Sequence, residues 1–421
     1  MPGLNLQLNS YSYDAKYNFN LAKLVDVSVG VNGYYQTNSL GEGTAFPIPA
    51  YHQFDLGPFV IVKKSFGKLD LSAGIRYDHR SFTGQAASID TTIKYYPKLY
   101  YGSNPETAVG VIPQFAALSK SFAGYSGSFG GTYNFSDQFL IKANIARGFR
   151  APSIAELSAN GPDPGSQIYH VGNANFKPEF SLQEDAGAFL TLPYVSASVE
   201  VFNNSIQNYI FQQQVLDANG APVIMQGYKE FTYVQSKAKI YGGEFYLDIH
   251  PVKWLHFANS LTLTYGENKG TAGKNIADSM KYLPFIPPIH THSELRANIY
   301  SKSGTIRNFY ALLGFDHYGA QNKYFAAYGT ETATAGYNLL SAGIGFSITD
   351  KNGIERAKVN IEGTNLNNAV YQSHLSRLKY FDPNVTANVL HPGIFNMGRN
   401  ISFKVIIPVN FTTGSKILTG S

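Results

Sequence analysis

The 421-residue chain has no cysteine, a single tryptophan, and charged residues at only 14% of its positions. Without cysteine there is neither a disulfide framework nor a thiolate metal site, and the compartment stays formally open. No stretch approaches the roughly 18 consecutive apolar residues of a transmembrane helix, so any passage through a bilayer has to be made by strands. The formal charge of +5 is not gathered into basic blocks, which leaves no nucleic-acid footprint. The opening residues Met1-Pro2-Gly3-Leu4-Asn5 lack the basic and long apolar segments of a signal peptide and already read as part of a strand. Catalytic signatures are missing too: there is no Gly-x-Ser-x-Gly, no His-Glu-x-x-His and no glycine-rich phosphate loop. We therefore expect a protein that is not an enzyme and carries no cofactor. Asp350-Lys351-Asn352-Gly353 and Asp217-Ala218-Asn219-Gly220 lack the spaced acids and distal Glu of a calcium loop and read as turns.

What the chain has in quantity is Tyr (30), Phe (29) and Gly (40), at a mean hydropathy of −0.16. The apolar residues alternate. Val25, Val27, Val29 and Val31 oppose Asp26, Ser28 and Asn32, and Leu69, Leu71, Ala73, Ile75 and Tyr77 oppose Lys68, Asp70, Ser72, Arg76 and Asp78. The same period of two returns at 195–201, 244–250, 357–361 and 400–409, the signature of strands with one apolar and one polar face. About fifteen such segments can be counted, many of them longer than the usual strand of five or six residues.

The connectors alternate as well. Short Gly/Asn/Asp/Pro turns such as 65–67, 134–138, 250–253, 302–304 and 349–353 separate long polar excursions near 37–50, 84–122, 151–178, 212–229, 267–290, 319–336 and 372–397. Short turns at one end and long loops at the other describe an antiparallel up-and-down meander. Strand length, this asymmetry and aromatic residues near strand ends favour an all-β transmembrane barrel over a soluble sandwich, with periplasmic turns, extracellular loops and a charged lumen. Tyr34, Tyr35, Tyr77, Tyr133, Phe135, Tyr265 and Tyr310 are the expected aromatic girdle.

The most distinctive stretch is 146–187. It ends one strand with Arg147-Gly148-Phe149-Arg150-Ala151-Pro152-Ser153, runs through Glu156-Leu157, and leads by Gly172-Asn173 and Phe176-Lys177-Pro178-Glu179 to a strand carrying Ser181, Glu184 and Gly187. Pro152 and Pro178 lack the donor that a central strand needs and mark where pairing stops. Gly148 and Gly172 permit backbone unavailable to other residues. Arg147 and Glu179 are the simplest loop-anchoring charge pair. This stretch resembles the most recognisable part of the TonB-dependent outer-membrane receptors. Tyr371-Gln372-Ser373-His374-Leu375-Ser376-Arg377-Leu378-Lys379, the run from Thr330 to Leu340, and Pro392-Gly393 through Gly398-Arg399-Asn400-Ile401 extend the likeness over the whole chain.

The resemblance implies an outer-membrane receptor barrel at 1–411, with 412–421 as a tail. It also implies TonB-dependent active uptake of a scarce nutrient such as a metal ion or iron complex (a siderophore or haem). The implied partners are the TonB energy-transducing protein, a small ligand and outer-membrane lipid. The plug domain and TonB box of such receptors are not visible, and fifteen strands would be part of a 22-stranded barrel. A chain with two open sheet edges is therefore not expected to insert alone as a functional transporter. A passive porin-like or structural barrel is the alternative. The signature residues Arg147, Gly148, Pro152, Gly172, Asn173, Pro178, Glu179, Arg377, Gly398, Arg399 and Asn400 are expected to hold the rim. Candidate ligand or metal contacts come from histidines. His290 and His292 would share one face with Glu294, offering two nitrogens and a carboxylate to a transition metal. His170, His374 and His391 fall in loops on the same side. His79, His250, His256 and His317 read as strand-end or lumen residues.

Overall fold

A computed structural model describes residues 3–90, 92, 99–102, 110–270, 276–299, 304–327, 331–380 and 393–409. Fifteen long strands form the wall: β1 (Leu6–Leu21), β2 (Val25–Leu40), β3 (Tyr51–Phe66), β4 (Leu69–Gly84), β5 (Leu118–Asn134), β6 (Phe139–Arg150), β7 (Glu179–Thr191), β8 (Val195–Gln214), β9 (Tyr228–Val252), β10 (Leu255–Gly270), β11 (His290–Ile299), β12 (Ile306–Tyr318), β13 (Tyr337–Thr349), β14 (Glu355–Thr364) and β15 (Asn400–Ile406). Each pairs antiparallel with the one before it. Three short loop strands, Asn160–Asp163, Ile168–Val171 and Ile224–Met225, add to the same sheet and bring it to eighteen.

The connectors fall as the sequence predicts. Tight turns follow β1, β3, β5, β7, β9, β11 and β13, and long loops follow the even-numbered strands. We call the turn end lower and the loop end upper. Among the described residues no ladder joins β15 to β1, so the sheet is a partial barrel with two free edges. Both edge strands are exposed along nearly their whole length, in contrast to the paired strands between them.

The packed core is not in the middle of the wall. Tyr51, Phe82, Leu118, Phe122, Ala151, Ile154, Leu157, Phe176 and Ile210 cluster where the loop 151–178 folds back onto the upper strand ends. A smaller cluster joins Phe46 to Ala87, Ile89 and Phe115 of a three-stranded sheet formed by Ala87–Asp90, Leu99–Tyr101 and Val111–Phe115. The turns are closed locally. Asp350 Oδ1 accepts from the amides of Asn352 and Ile354, and Asp217 Oδ1 from those of Asn219 and Ala221, as the turn reading requires.

The aromatic girdle needs correcting. Tyr34 and Tyr35 are adjacent in one strand and therefore face opposite ways. Tyr34 turns inward, where its hydroxyl accepts from Arg80 at 2.9 Å, while Tyr35 is exposed. Tyr310 is inward as well: it donates to Asn360 at 3.0 Å and lies under the Arg296 guanidinium. Tyr133 and Phe135, packed edge to face at 4.7 Å and exposed, fit the lower girdle. The segment 412–421 lies outside the described residues.

Candidate functional site at the upper rim and lumen

Strand β6 ends at Arg150 and β7 begins at Glu179, its direct partner in register. Arg150 Nε donates to Glu179 Oε2 at 2.5 Å, and Nη1 to Glu156 Oε2 at 2.9 Å. Glu156 belongs to the short helix α1 (Ile154–Ser158). Ser153 Oγ accepts from the Glu156 amide and Glu156 Oε2 accepts from the Ser153 amide, a capping box that satisfies two otherwise unpaired donors. Glu179 Oε1 accepts from the Ile210 amide on β8. One guanidinium thus ties the start of the loop to its helix and to its end, and Glu179 carries the tie on to β8.

The expected pair of Arg147 with Glu179 does not form. Arg147 is an odd number of residues from Arg150, so it projects from the other face of β6. Its guanidinium lies 4.0 Å from the Phe180 ring and donates to the Tyr125 carbonyl.

The remaining signature residues close the rim by backbone fit. The Gly172 amide donates to Ala159 O at 2.7 Å, and a Cβ at this glycine would sit 2.6 Å from Ser158 N. The Asn173 amide donates to Glu156 O, and its side chain accepts from the Asn175 amide. Pro152 is fully buried, and the Pro178 carbonyl accepts from Asn208. A Cβ at Gly148 would meet Ser181 Oγ on the facing strand at 2.6 Å. Arg399 donates from its amide to Asn368 Oδ1 and from Nε to Leu366 O, just ahead of Asn400, which opens β15 opposite Thr364, and Gly398 lies against the same Asn368. Arg377 begins a 3-10 turn, Arg377–Tyr380.

In the upper lumen, His290 and His292 open β11 on one face, and His292 is the register partner of Asp316 on β12. His290 Nε2 and His292 Nδ1 each lie 2.9 Å from Asp316 Oδ1. The carboxylate that meets the imidazoles is thus Asp316. Glu294 shares their face but lies opposite Gly314 and 3.9 Å from Arg296. Directly opposed residues on neighbouring strands approach to about 5 Å between Cβ atoms, whereas i and i+2 on one strand are nearly 7 Å apart, so a cross-strand partner outcompetes the sequence neighbour.

An imidazole that donates one N–H to a carboxylate keeps a lone pair on its other nitrogen, oriented by that carboxylate as in metal sites. Here the free atoms are His290 Nδ1 and His292 Nε2, on half-buried side chains. A ladder of rings runs on from His290 through Tyr318, Tyr337 and Tyr371, with centroids 4.2, 4.6 and 4.2 Å apart. Across the lumen, Arg80 pairs with Asp55 at 2.6 Å and Arg76 with Asp78 at 2.5 Å beside a recess of about 420 Å³.

Two of the other candidate histidines, His170 and His374, have partners within the loops. His170, on a short strand that runs parallel to β9, has Gln212 Nε2 at 2.7 Å from Nδ1 and Ser166 Oγ at 3.3 Å from Nε2. Burial lowers its pKa against the opposing pull of Asp163. His374 is 2% exposed, with Nδ1 3.1 Å from Thr334 Oγ1 and its carbonyl accepting from Lys379. Burial first, and the Lys379 cation second, push its pKa down to about 4. His391 lies outside the described residues.

Sequence reading missed Asp316, Arg150 and helix α1. The helix had a local signal in Ser153-x-x-Glu156. Asp316 had none, because its position depends on a register set 24 residues away from His292.

A family model described as "TonB dependent receptor-like, beta-barrel" matches residues 2–366. The chain is 24% identical over 258 residues to the "iron-regulated outer membrane virulence protein" of Vibrio cholerae serotype O1, a match that covers 57% of this chain and 36% of that protein. Its fold is similar to that of the copper transporter OprC (TM-score 0.69, 16% identity, 95% of this chain and 56% of the other). It is also similar to the FrpB iron transporter from Neisseria meningitidis, F5-1 variant (TM-score 0.65, 11% identity, 95% and 56%). The chain therefore spans about a third of that curated relative and just over half of those solved chains. With the family match extending from the first strand into the loop after β14, this chain belongs to the TonB-dependent receptor β-barrel family, a family of outer-membrane receptors and not of enzymes.

Proposed function

We propose that this chain supplies the barrel wall and extracellular rim of a receptor that takes up a metal ion or metal complex across the outer membrane by TonB-dependent active transport. The observation that carries the metal reading is the pair His290 and His292 held on Asp316 in the upper lumen, each with a second ring nitrogen left over. Two imidazoles oriented by one carboxylate suit a borderline transition metal or a chelate with open coordination positions. The adjoining ladder of Tyr318, Tyr337 and Tyr371 gives flat organic groups of a chelate an aromatic surface. The names of the relatives agree in kind: one is iron-regulated, one is a copper transporter and one an iron transporter.

In this reading the folded rim presents the loops, the two imidazoles supply ligand atoms, and the charged lumen offers a polar path. Free energy for release comes from a TonB-type partner outside the chain. The test is calorimetric titration of the detergent-folded chain with Cu²⁺ and Zn²⁺ and with a ferric chelate. His290→Ala/His292→Ala should weaken binding of at least one of these by roughly tenfold or more, and Asp316→Asn by about tenfold through loss of ring orientation. Binding unchanged in both variants for every titrant would sink the metal reading.

A further inference from the structure

A second group of metal-ligating side chains lies at the opposite end of the wall. Asp248 and His250 occupy alternate positions near the lower end of β9, on the face away from Leu247 and Ile249, and His256 stands just across the tight turn on β10. His256 Nδ1 is 3.0 Å and His250 Nδ1 3.2 Å from Asp248 Oδ2, and the two rings stack at 5.5 Å. Among the described residues this is the one group of three His, Cys, Asp or Glu whose ligand atoms all lie within 4.8 Å of one another.

Two details go beyond the one hydrogen bond in the group, between His256 Nδ1 and Asp248 Oδ2. Asp248 Oδ1 and His250 Nδ1 are buried atoms with no hydrogen-bond partner, although buried polar atoms are nearly always satisfied. The His250 Nδ1–Asp248 Oδ2 separation of 3.2 Å, which is not a hydrogen bond, also matches an edge of a coordination tetrahedron, about 3.3 Å when metal–ligand bonds are 2.0–2.1 Å. We propose that Asp248, His250 and His256 bind a borderline transition-metal dication of the Zn²⁺ type at the periplasmic end of the lumen.

The chemistry excludes the harder alternatives. Two imidazoles with one carboxylate favour Zn²⁺, Ni²⁺ or Cu²⁺ over Mg²⁺ or Ca²⁺, which prefer all-oxygen shells. The nearby cation does not prevent it. Arg296 is the register partner of His256, but its Nε donates to Asn298, its guanidinium lies 4.4 Å over Tyr310, and Glu294 is 3.9 Å away. The strands are paired along both sides, β8 to β9, β9 to β10 and β10 to β11, so the site does not depend on the sheet's free edges. The proposal goes beyond the uptake reading and does not rest on His290 or His292.

The test is a Zn²⁺ titration of the detergent-folded chain, with Cu²⁺ electron paramagnetic resonance to count coordinating nitrogens. His250→Gln/His256→Gln should lower affinity at the tighter site at least about tenfold and remove its two-nitrogen signature, whereas His290→Ala/His292→Ala should leave that site in place. Diethyl pyrocarbonate labelling of the unmutated chain, mapped by mass spectrometry, covers the case in which the variant misfolds. Zn²⁺ should protect His250 and His256 together, and Mg²⁺ should not. Equal labelling of both histidines with and without Zn²⁺, or retention of the tight site in the folded glutamine variant, overturns the proposal.

Discussion

At the lower end of the wall, the turn after β5 is closed mainly within four residues: Ser136 Oγ accepts from the amides of Gln138 and Phe139, and the Ser136 amide donates to Phe139 O, while the Phe135 and Gln138 carbonyls accept from Lys68 and Thr191 on the neighbouring hairpins. At the upper end, the loop after β6 is closed by partners far apart in sequence. Arg150 reaches Glu179, Glu179 reaches Ile210, and Gly172 returns to Ala159. The lower end therefore stands on local turn chemistry and exposed aromatic rings, while the upper end carries the apolar core and long-range hydrogen bonds. The two histidine groups follow the same division. Above, both imidazoles share one carboxylate oxygen; below, a carboxylate oxygen and a ring nitrogen are left without partners. Buried atoms without partners occur at both ends, Gln214 Nε2 and His374 Nε2 above and Asp248 Oδ1 and His250 Nδ1 below, so what separates the ends is long-range packing above and a simple hairpin below.

The largest effect that would break this contrast is at Gly172. A Cβ there would stand 2.6 Å from Ser158 N, 2.7 Å from Ala159 N and 2.8 Å from Leu157 C, all backbone atoms that cannot rotate away. Gly172→Ala should cost on the order of 3 kcal/mol of local stability and loosen the loop 151–178, at the upper end of what overpacking usually does. Limited proteolysis reads it directly: cleavage within 151–178 should rise steeply while the lower turns stay resistant. An unchanged digestion pattern would mean that the rim is not closed by this contact.

An effect of at most the same size is expected from pH in the loop after β14. His374 titrates near 6.5 in an unfolded chain and near 4 in place, because burial, reinforced by Lys379, disfavours its cation. The fold favours the neutral ring, so the stabilisation is complete above about pH 6.5. It is lost progressively as the pH falls to about 4, by up to roughly 3 kcal/mol if the loop opens as one unit. Cleavage in the loop after β14 should accelerate between pH 7 and 4.5, and His374→Gln should flatten that dependence. A rate independent of pH in the unmutated chain would remove His374 from the upper packing.

How much of this was legible follows the same division. The fifteen strands and their alternating short and long connectors could be read because period-two alternation and turn residues are local signals. The anchoring role of the 146–187 stretch was legible, but its agent was not. Arg147 and Arg150 are equally basic in sequence, and only strand parity and the register with Glu179 select Arg150. His290 and His292 could be paired by spacing, yet their carboxylate could not, because Asp316 comes from the next strand. Asp248, His250 and His256 were within reach, since a two-residue spacing followed by a tight turn places all three on one face, but neither the unpartnered atoms nor the distances could be read.

The smallest expected effect sharpens the contrast from below. Ser136→Ala removes the hydroxyl that accepts two amides of the lower turn, yet both amides are near solvent and water can replace it. The cost should be about 0.5–1 kcal/mol, the net value of an exposed side-chain hydrogen bond, and should leave the proteolytic pattern of the upper loops unchanged. Denaturant unfolding of Ser136→Ala beside Gly172→Ala compares the two ends in one measurement. If stability is concentrated in the upper rim, the serine variant shifts the midpoint by a fraction of the shift caused by the glycine variant. Equal shifts would show that the lower turns nucleate the sheet as strongly as the rim closes it, and the asymmetry would then be one of shape alone.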